Sequence, residues 1–196
     1  MVVLPPKQRF TRDQMTAAAL TLVRREGVDA LTARALGAEL GTTARPVFTA
    51  FASMDDVKAA TMSAARAVYD RYVDEGLLDS IPFRGVGMAY LRFARDEPRL
   101  FAWLFMTTVS SGPALEVVLP VIDANEQRIL ASVESSYAVG PEAARRLYQN
   151  MWVFTHGLAC LTATGVSSVT DEDAQQRLTE MFTGQLSMVK SGVRHD

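Results

Sequence analysis

The sequence predicts an all-α protein, with an N-terminal three-helix helix-turn-helix domain followed by a six-helix bundle. Three observations carry that prediction. Apolar residues recur at i, i+3, i+4 and i+7 along most of the chain, and few windows alternate as a strand would. Capping residues, Pro and Gly punctuate the chain at helix-length intervals. Residues 32–57 read as two short helices joined by a tight turn, the geometry of a DNA-reading motif.

Residues 1–10 read as a loose arm carrying Lys7 and Arg9. Thr11 and Gln14 have capping-box spacing, and Met15, Ala18, Ala19, Leu22 and Val23 mark one buried face of the first helix. Gly27 ends it. Thr32 caps the second helix, where Leu36 and Leu40 share a face, and Gly41 suits a left-handed stop. Thr43 is expected to cap the third, with Val47, Phe48 and Phe51 as its apolar positions and Pro46 in its first turn. Ser53 to Asp56 open a fourth helix to about Gly76, with Val57, Ala60, Ala64, Val68 and Tyr72 along one side. Pro82 and Pro98 sit at helix starts, predicting helices over about 82–96 and 98–108. Gly112-Pro113 begins a segment that Pro120 divides or kinks, helical to about Ser136. Gly140-Pro141 opens a helix to about Gly165, and Thr170 caps the last, which runs to about Lys190. That helix has Ala174, Leu178, Met181, Phe182 and Val189 as its stripe. The expected total is nine helices, divided into domains at 1–54 and 55–196.

With 48% apolar and 21% charged residues, the 196-residue chain has material for a core and too few charges for extended disorder. The overall net charge of −2 argues against nucleic acid, but its distribution does not. Residues 1–54 hold seven basic and four acidic side chains, a net charge of +3, while the remainder carries −5. A basic start on an acidic body suits DNA at one end only. The single cysteine, Cys160, excludes an internal disulfide, and the expected setting is the reducing cytoplasm. No signal peptide or membrane span is expected, because the first residues break at Pro5 and Pro6 and the most apolar run is Leu100–Met106.

Arg45, early in the third helix as read here, has the reach to read a guanine edge or bind phosphate. Thr42, Thr43 and Thr49 offer hydroxyls, although Thr43 serves equally as a cap alone. Tyr69, Met88, Phe93, Phe101, Trp103, Phe105, Met106, Trp152 and Phe154 form an aromatic and methionine set that suits either ordinary core or an apolar cavity. Trp152 and His156 are neighbours one helical turn apart, and so are His156 and Cys160. No metal cluster, phosphate loop or nucleophile elbow is present, so neither an enzyme nor a cofactor is expected.

The ordered set Ala18–Val23, Glu26-Gly27, Leu31-Thr32, Leu36–Gly41, Phe48, Phe51 and Val57 resembles the TetR family of bacterial transcriptional regulators. Tyr90–Ala94 with Pro98 and Phe101, and Trp152–Gly157, are similar to a C-terminal subclass called WHG. The resemblance implies a homodimer in which three helices bind operator DNA and the bundle supplies dimer interface and ligand cavity. It implies a repressor released from double-stranded DNA by a small apolar molecule. The implied DNA-binding residues are Arg34, Thr42, Thr43, Arg45, Phe48 and Thr49, with Lys7, Arg9 and Arg12 in the arm. The implied ligand-binding residues are Tyr69, Met88, Phe93, Trp103, Met106, Trp152 and His156. Gly157, Ala159, Ala163 and Gly165 would allow close helix approach at the dimer interface.

The chain departs from the family pattern in its reader. Gly37 replaces a common alanine, at about 1 kcal/mol of helix propensity. Phe48 lacks the hydroxyl of a usual tyrosine, Met54 the charge of a usual lysine, and Ala50 the ring of a frequent histidine. Pro46 has no N–H to offer a phosphate. These departures predict weaker DNA binding than is usual for the family. The alternative is a same-fold helical dimer that acts by binding a small molecule or protein.

Overall fold

The computed structural model describes residues 10–106 and 123–191. Lys7, Arg9, Pro113, Pro120 and His195 lie outside them. Among the described residues are nine α-helices and a 3-10 turn, with no strand. The chain divides into two compact units, residues 1–68 and 69–196.

In the first unit, α1 (Arg12–Glu26) starts on the expected capping box. Thr11 Oγ1 accepts from the Gln14 N–H at 3.1 Å, and Gln14 Oε1 accepts from the Thr11 N–H at 2.9 Å. Met15, Ala19, Leu22 and Val23 are buried on one face. After Gly27 a 3-10 turn (Val28–Ala30) leads to α2 (Ala33–Glu39), capped by Thr32 through the Ala35 N–H at 3.1 Å. Gly41 has φ +65, the left-handed stop expected of it. The short α3 (Val47–Ala50) and the start of α4 (Met54–Leu77) complete the unit.

Arg12 fastens the two ends of this unit. Its guanidinium pairs with Asp56 at 2.5 and 3.1 Å, donates to the Ala50 carbonyl at 2.9 Å and lies 4.2 Å over the Phe51 ring. Arg12 is thus the first residue of a helix with its charge committed, not part of a free arm. The Asp56 carboxyl is held below its usual range by the Arg12 bond first and the Ala52 N–H second.

The turn before α3 differs from expectation. Thr43 caps nothing, and Arg45 precedes the helix instead of standing on it. Proline pushes the residue before it out of the α region, so Pro46 (φ −58, ψ −28) delays the start to Val47 and leaves only four helical residues. Val47 and Phe51 are buried, whereas Phe48 is 53% exposed. Gly37 is also explained. A Cβ there would stand 2.6 Å from the carbonyl carbon and oxygen of Thr43, so the turn lies too close to α2 for alanine. In α4 the buried stripe is Val57, Thr61, Ala65 and Val68, rotated from the expected Ala60 and Ala64. Thr61 enters the core by donating its hydroxyl to the Val57 carbonyl at 2.7 Å.

The second unit takes the end of α4 and adds α5 (Pro82–Asp96), α6 (Pro98–Phe105), α7 (Glu126–Tyr137), α8 (Pro141–Ala163) and α9 (Asp171–Lys190). Pro82, Pro98 and Pro141 each open a helix, where a missing N–H costs no internal bond. Thr170 caps α9 through the Asp173 N–H at 3.2 Å. Helix α5 packs against α6, α7, α8 and α9. Its approach to α4 depends on two glycines, because a Cβ on Gly85 would collide with the Gly76 carbonyl. Ala159 is buried in the core of the unit, and Gly165 lies beyond the end of α8.

Two outcomes test this packing. Gly37→Ala should lower the melting temperature, with overpacking costing about 1–3 kcal/mol and outweighing the gain in helix propensity of about 1 kcal/mol. A rise in melting temperature would show that the turn gives way. Asp56→Asn should also lower it at neutral pH. Because the folded carboxyl titrates below its usual range, this stabilisation is present above that range and is lost as pH falls through it. Melts of wild type and variant should therefore converge in acid.

Candidate functional site

The first candidate surface is the segment from α2 to α3. Arg34, in the first turn of α2, and Arg45, in the turn before α3, are exposed. Neither forms an ion pair with a described residue, unlike Arg12 with Asp56 or Arg25 with Glu26 and Glu39. Thr43 and Thr49 are exposed, Thr42 is half-buried, and Thr49 donates its hydroxyl to the Pro46 carbonyl at 2.6 Å. Two uncommitted guanidinium groups, hydroxyls and the exposed Phe48 ring therefore lie within sixteen residues (34–49). Guanidinium groups suit phosphate oxygens and guanine edges, and Phe48 offers only apolar contact.

The second is a cavity of about 310 Å³ inside the C-terminal unit. Phe83, Val86, Gly87 and Tyr90 face it from α5 at helical spacing. Tyr148, Met151, Trp152 and Thr155 do the same from α8, and Leu178 and Phe182 from α9. Its size matches sites for small ligands, and its walls are mostly apolar and aromatic. The polar lining includes Arg84, Asp123, Tyr69 and Tyr148. Arg84 is paired with Asp79 at 2.8 Å. Asp123, 1% exposed, accepts from the Tyr148 hydroxyl at 2.9 Å and the Asn125 N–H at 3.0 Å. Burial pushes the Asp123 carboxyl above its ordinary range, and these hydrogen bonds act in the opposite sense.

Of the residues expected at a ligand site, Tyr69 and Trp152 line this cavity. Met88, Phe93, Trp103, Met106 and His156 are not in its lining. Met88 lies off the α5 face defined by Phe83, Val86, Gly87 and Tyr90, and α6, which carries Trp103, contributes none of the wall. Phe93 is fully buried in a cluster with Tyr69, Tyr90, Phe101 and Phe105, whose centroids lie 5.0–6.4 Å apart. His156 stacks on Trp152 at 4.6 Å and is held from both ring nitrogens, by the Tyr90 hydroxyl at 3.0 Å and Cys160 Sγ at 3.3 Å. Burial keeps the imidazole pKa low and the thiol pKa high, so both are neutral near pH 7. His156 and Cys160 thus lie behind Trp152 with these contacts made.

Asp123, Tyr148 and the α9 wall were not among the expected site residues. The spacing Tyr148, Met151, Trp152, Thr155 is a legible helical face, anchored on a tryptophan already singled out. Asp123 has no such signal, since a lone acid among apolar residues has no spacing that marks it as part of a site.

A family profile described as "Tetracyclin repressor-like, C-terminal domain" matches residues 83–185, just over half of the chain and most of the cavity-bearing unit. An uncharacterized HTH-type transcriptional regulator of Mycobacterium tuberculosis is 28% identical over 202 residues, covering 94% of this chain and 82% of that protein. No helix among the described residues is long and apolar enough to cross a membrane. With its N-terminal helix-turn-helix and matching C-terminal bundle, the chain belongs to the TetR family of transcriptional regulators.

Proposed function

We propose that this regulator is a cytoplasmic repressor that holds operator DNA as a homodimer and lets go when a small apolar molecule binds in the C-terminal unit. The observation that carries the reading is the aromatic-walled cavity of about 310 Å³ within the bundle of a DNA-binding family. Arg34 and Arg45, exposed on the reader and without an ion-pair partner among the described residues, are the groups best suited to phosphate and base contact.

An apolar face supports the dimer. Val153, Gly157 and Leu161 on α8 are exposed on one side at helical spacing, as are Met181, Gly184 and Met188 on α9. A Cβ on either glycine would meet nothing within 4 Å in one protomer, so both leave room for a second helix. Two-fold pairing of such faces buries apolar surface that a monomer leaves wet, and it sets two readers on one duplex.

Fluorescence anisotropy with DNA flanking the protein's own gene tests the first part. Binding should exceed that to scrambled DNA, and Arg45→Ala should cost roughly 1–3 kcal/mol on the specific site if Arg45 reads a base. Equal loss on both DNAs would make Arg45 a phosphate contact. No binding to either would favour the alternative, a helical dimer that acts by binding a small molecule or protein. For the dimer, sedimentation should give two chains for wild type and one for Gly157→Arg, with the melting curve of the variant showing a folded protein. A wild-type monomer at micromolar concentration would refute the interface.

A further inference from the structure

The cavity contains one carboxyl group, Asp123, that no cation among the described residues meets. Arg84 is neutralised by Asp79 at 2.8 Å. Asp123, 1% exposed, has no ion-pair partner among the described residues. Its two oxygens accept from Tyr148 and the Asn125 N–H, and the Tyr69 hydroxyl also favours the ionised form. A carboxylate has about four lone-pair directions, so acceptor capacity remains. The neighbouring charge worsens the imbalance, since Asp70 disfavours a second anion there. A buried carboxylate is costly until a cation meets it.

The surrounding rings fit the same kind of guest. Tyr69, Tyr90, Tyr148 and Trp152 line the cavity that Asp123 enters. An ammonium is attracted to the face of such rings within about 6 Å. We propose that the cavity selects small apolar amines that are protonated at neutral pH, with the ammonium at Asp123 and the hydrocarbon body against Phe83 and Leu178. A carboxylate ligand would face like charge, and a neutral one would leave Asp123 uncompensated. The Trp152 indole N–H, buried without a hydrogen-bond partner among the described residues, offers a place for one acceptor on the ligand body. This inference rests on the cavity being the ligand site, and the test separates the two claims.

Calorimetric titration of the full chain with 4-phenylbutylamine, 4-phenylbutanol and 4-phenylbutanoate compares three head groups on one skeleton. The amine should bind about tenfold or more tightly than the alcohol, and the carboxylate most weakly. Asp123→Asn should weaken the amine by about tenfold or more, to near the affinity of the alcohol, with the melting curve of the variant showing a folded protein. If the variant loses the alcohol as well, the wild-type ranking decides. An alcohol or carboxylate that binds as tightly as the amine would overturn the charge selection and leave the ligand site standing. An amine preference that survives in Asp123→Asn with alcohol binding intact would do the same. No binding of any probe at millimolar concentration would overturn both.

Discussion

Helix α5 has to bury most of its circumference. Val86, Ala89, Tyr90, Leu91, Phe93 and Ala94 are all buried on it, and four other helices pack around it. Burial of each large side chain contributes about 1.5–3 kcal/mol, so this helix anchors the C-terminal unit. The same placement makes the cavity. One α5 face, ending at Tyr90, forms a wall, while Phe93 locks into the aromatic cluster behind it. The approach of α4 to α5 is possible only because Gly76 and Gly85 have no side chains.

The cavity walls are mostly apolar and aromatic, with Asp123 buried among them, and hydrogen bonds link the residues behind them. Tyr90 touches both functions, lining the cavity with its ring and holding His156 with its hydroxyl. His156 in turn stacks against Trp152. A ligand that moves Trp152 therefore disturbs a hydrogen-bonded chain from α5 through α8 to Cys160.

Much of the fold was legible because helix ends carry local chemistry. Thr11, Thr32 and Thr170 cap as their spacing implies, and Pro82, Pro98 and Pro141 open helices. The third helix was misread because Thr43 has the right chemistry for a cap, while Pro46 three residues later controls the backbone. Gly37 read as a propensity cost, because its reason is a close approach from a turn that no local pattern reveals. The α4 stripe was read through Ala60 and Ala64, whereas the buried face runs through Thr61, whose hydroxyl is satisfied by its own helix. At the cavity, residue type pointed to aromatics and methionines, but helical phase decided which of them face the space. Phe93 and Tyr90 lie three residues apart on one helix, and only Tyr90 lines the cavity.

Release of operator by a ligand in the cavity, as proposed, requires the two sites to be coupled, and coupling between two ligands is reciprocal. The most direct measurement is the affinity of one cavity ligand for the protein alone and for the protein saturated with its operator. The account predicts that operator weakens the ligand by the same factor by which the ligand weakens operator. Equal ligand affinity with and without DNA would contradict it.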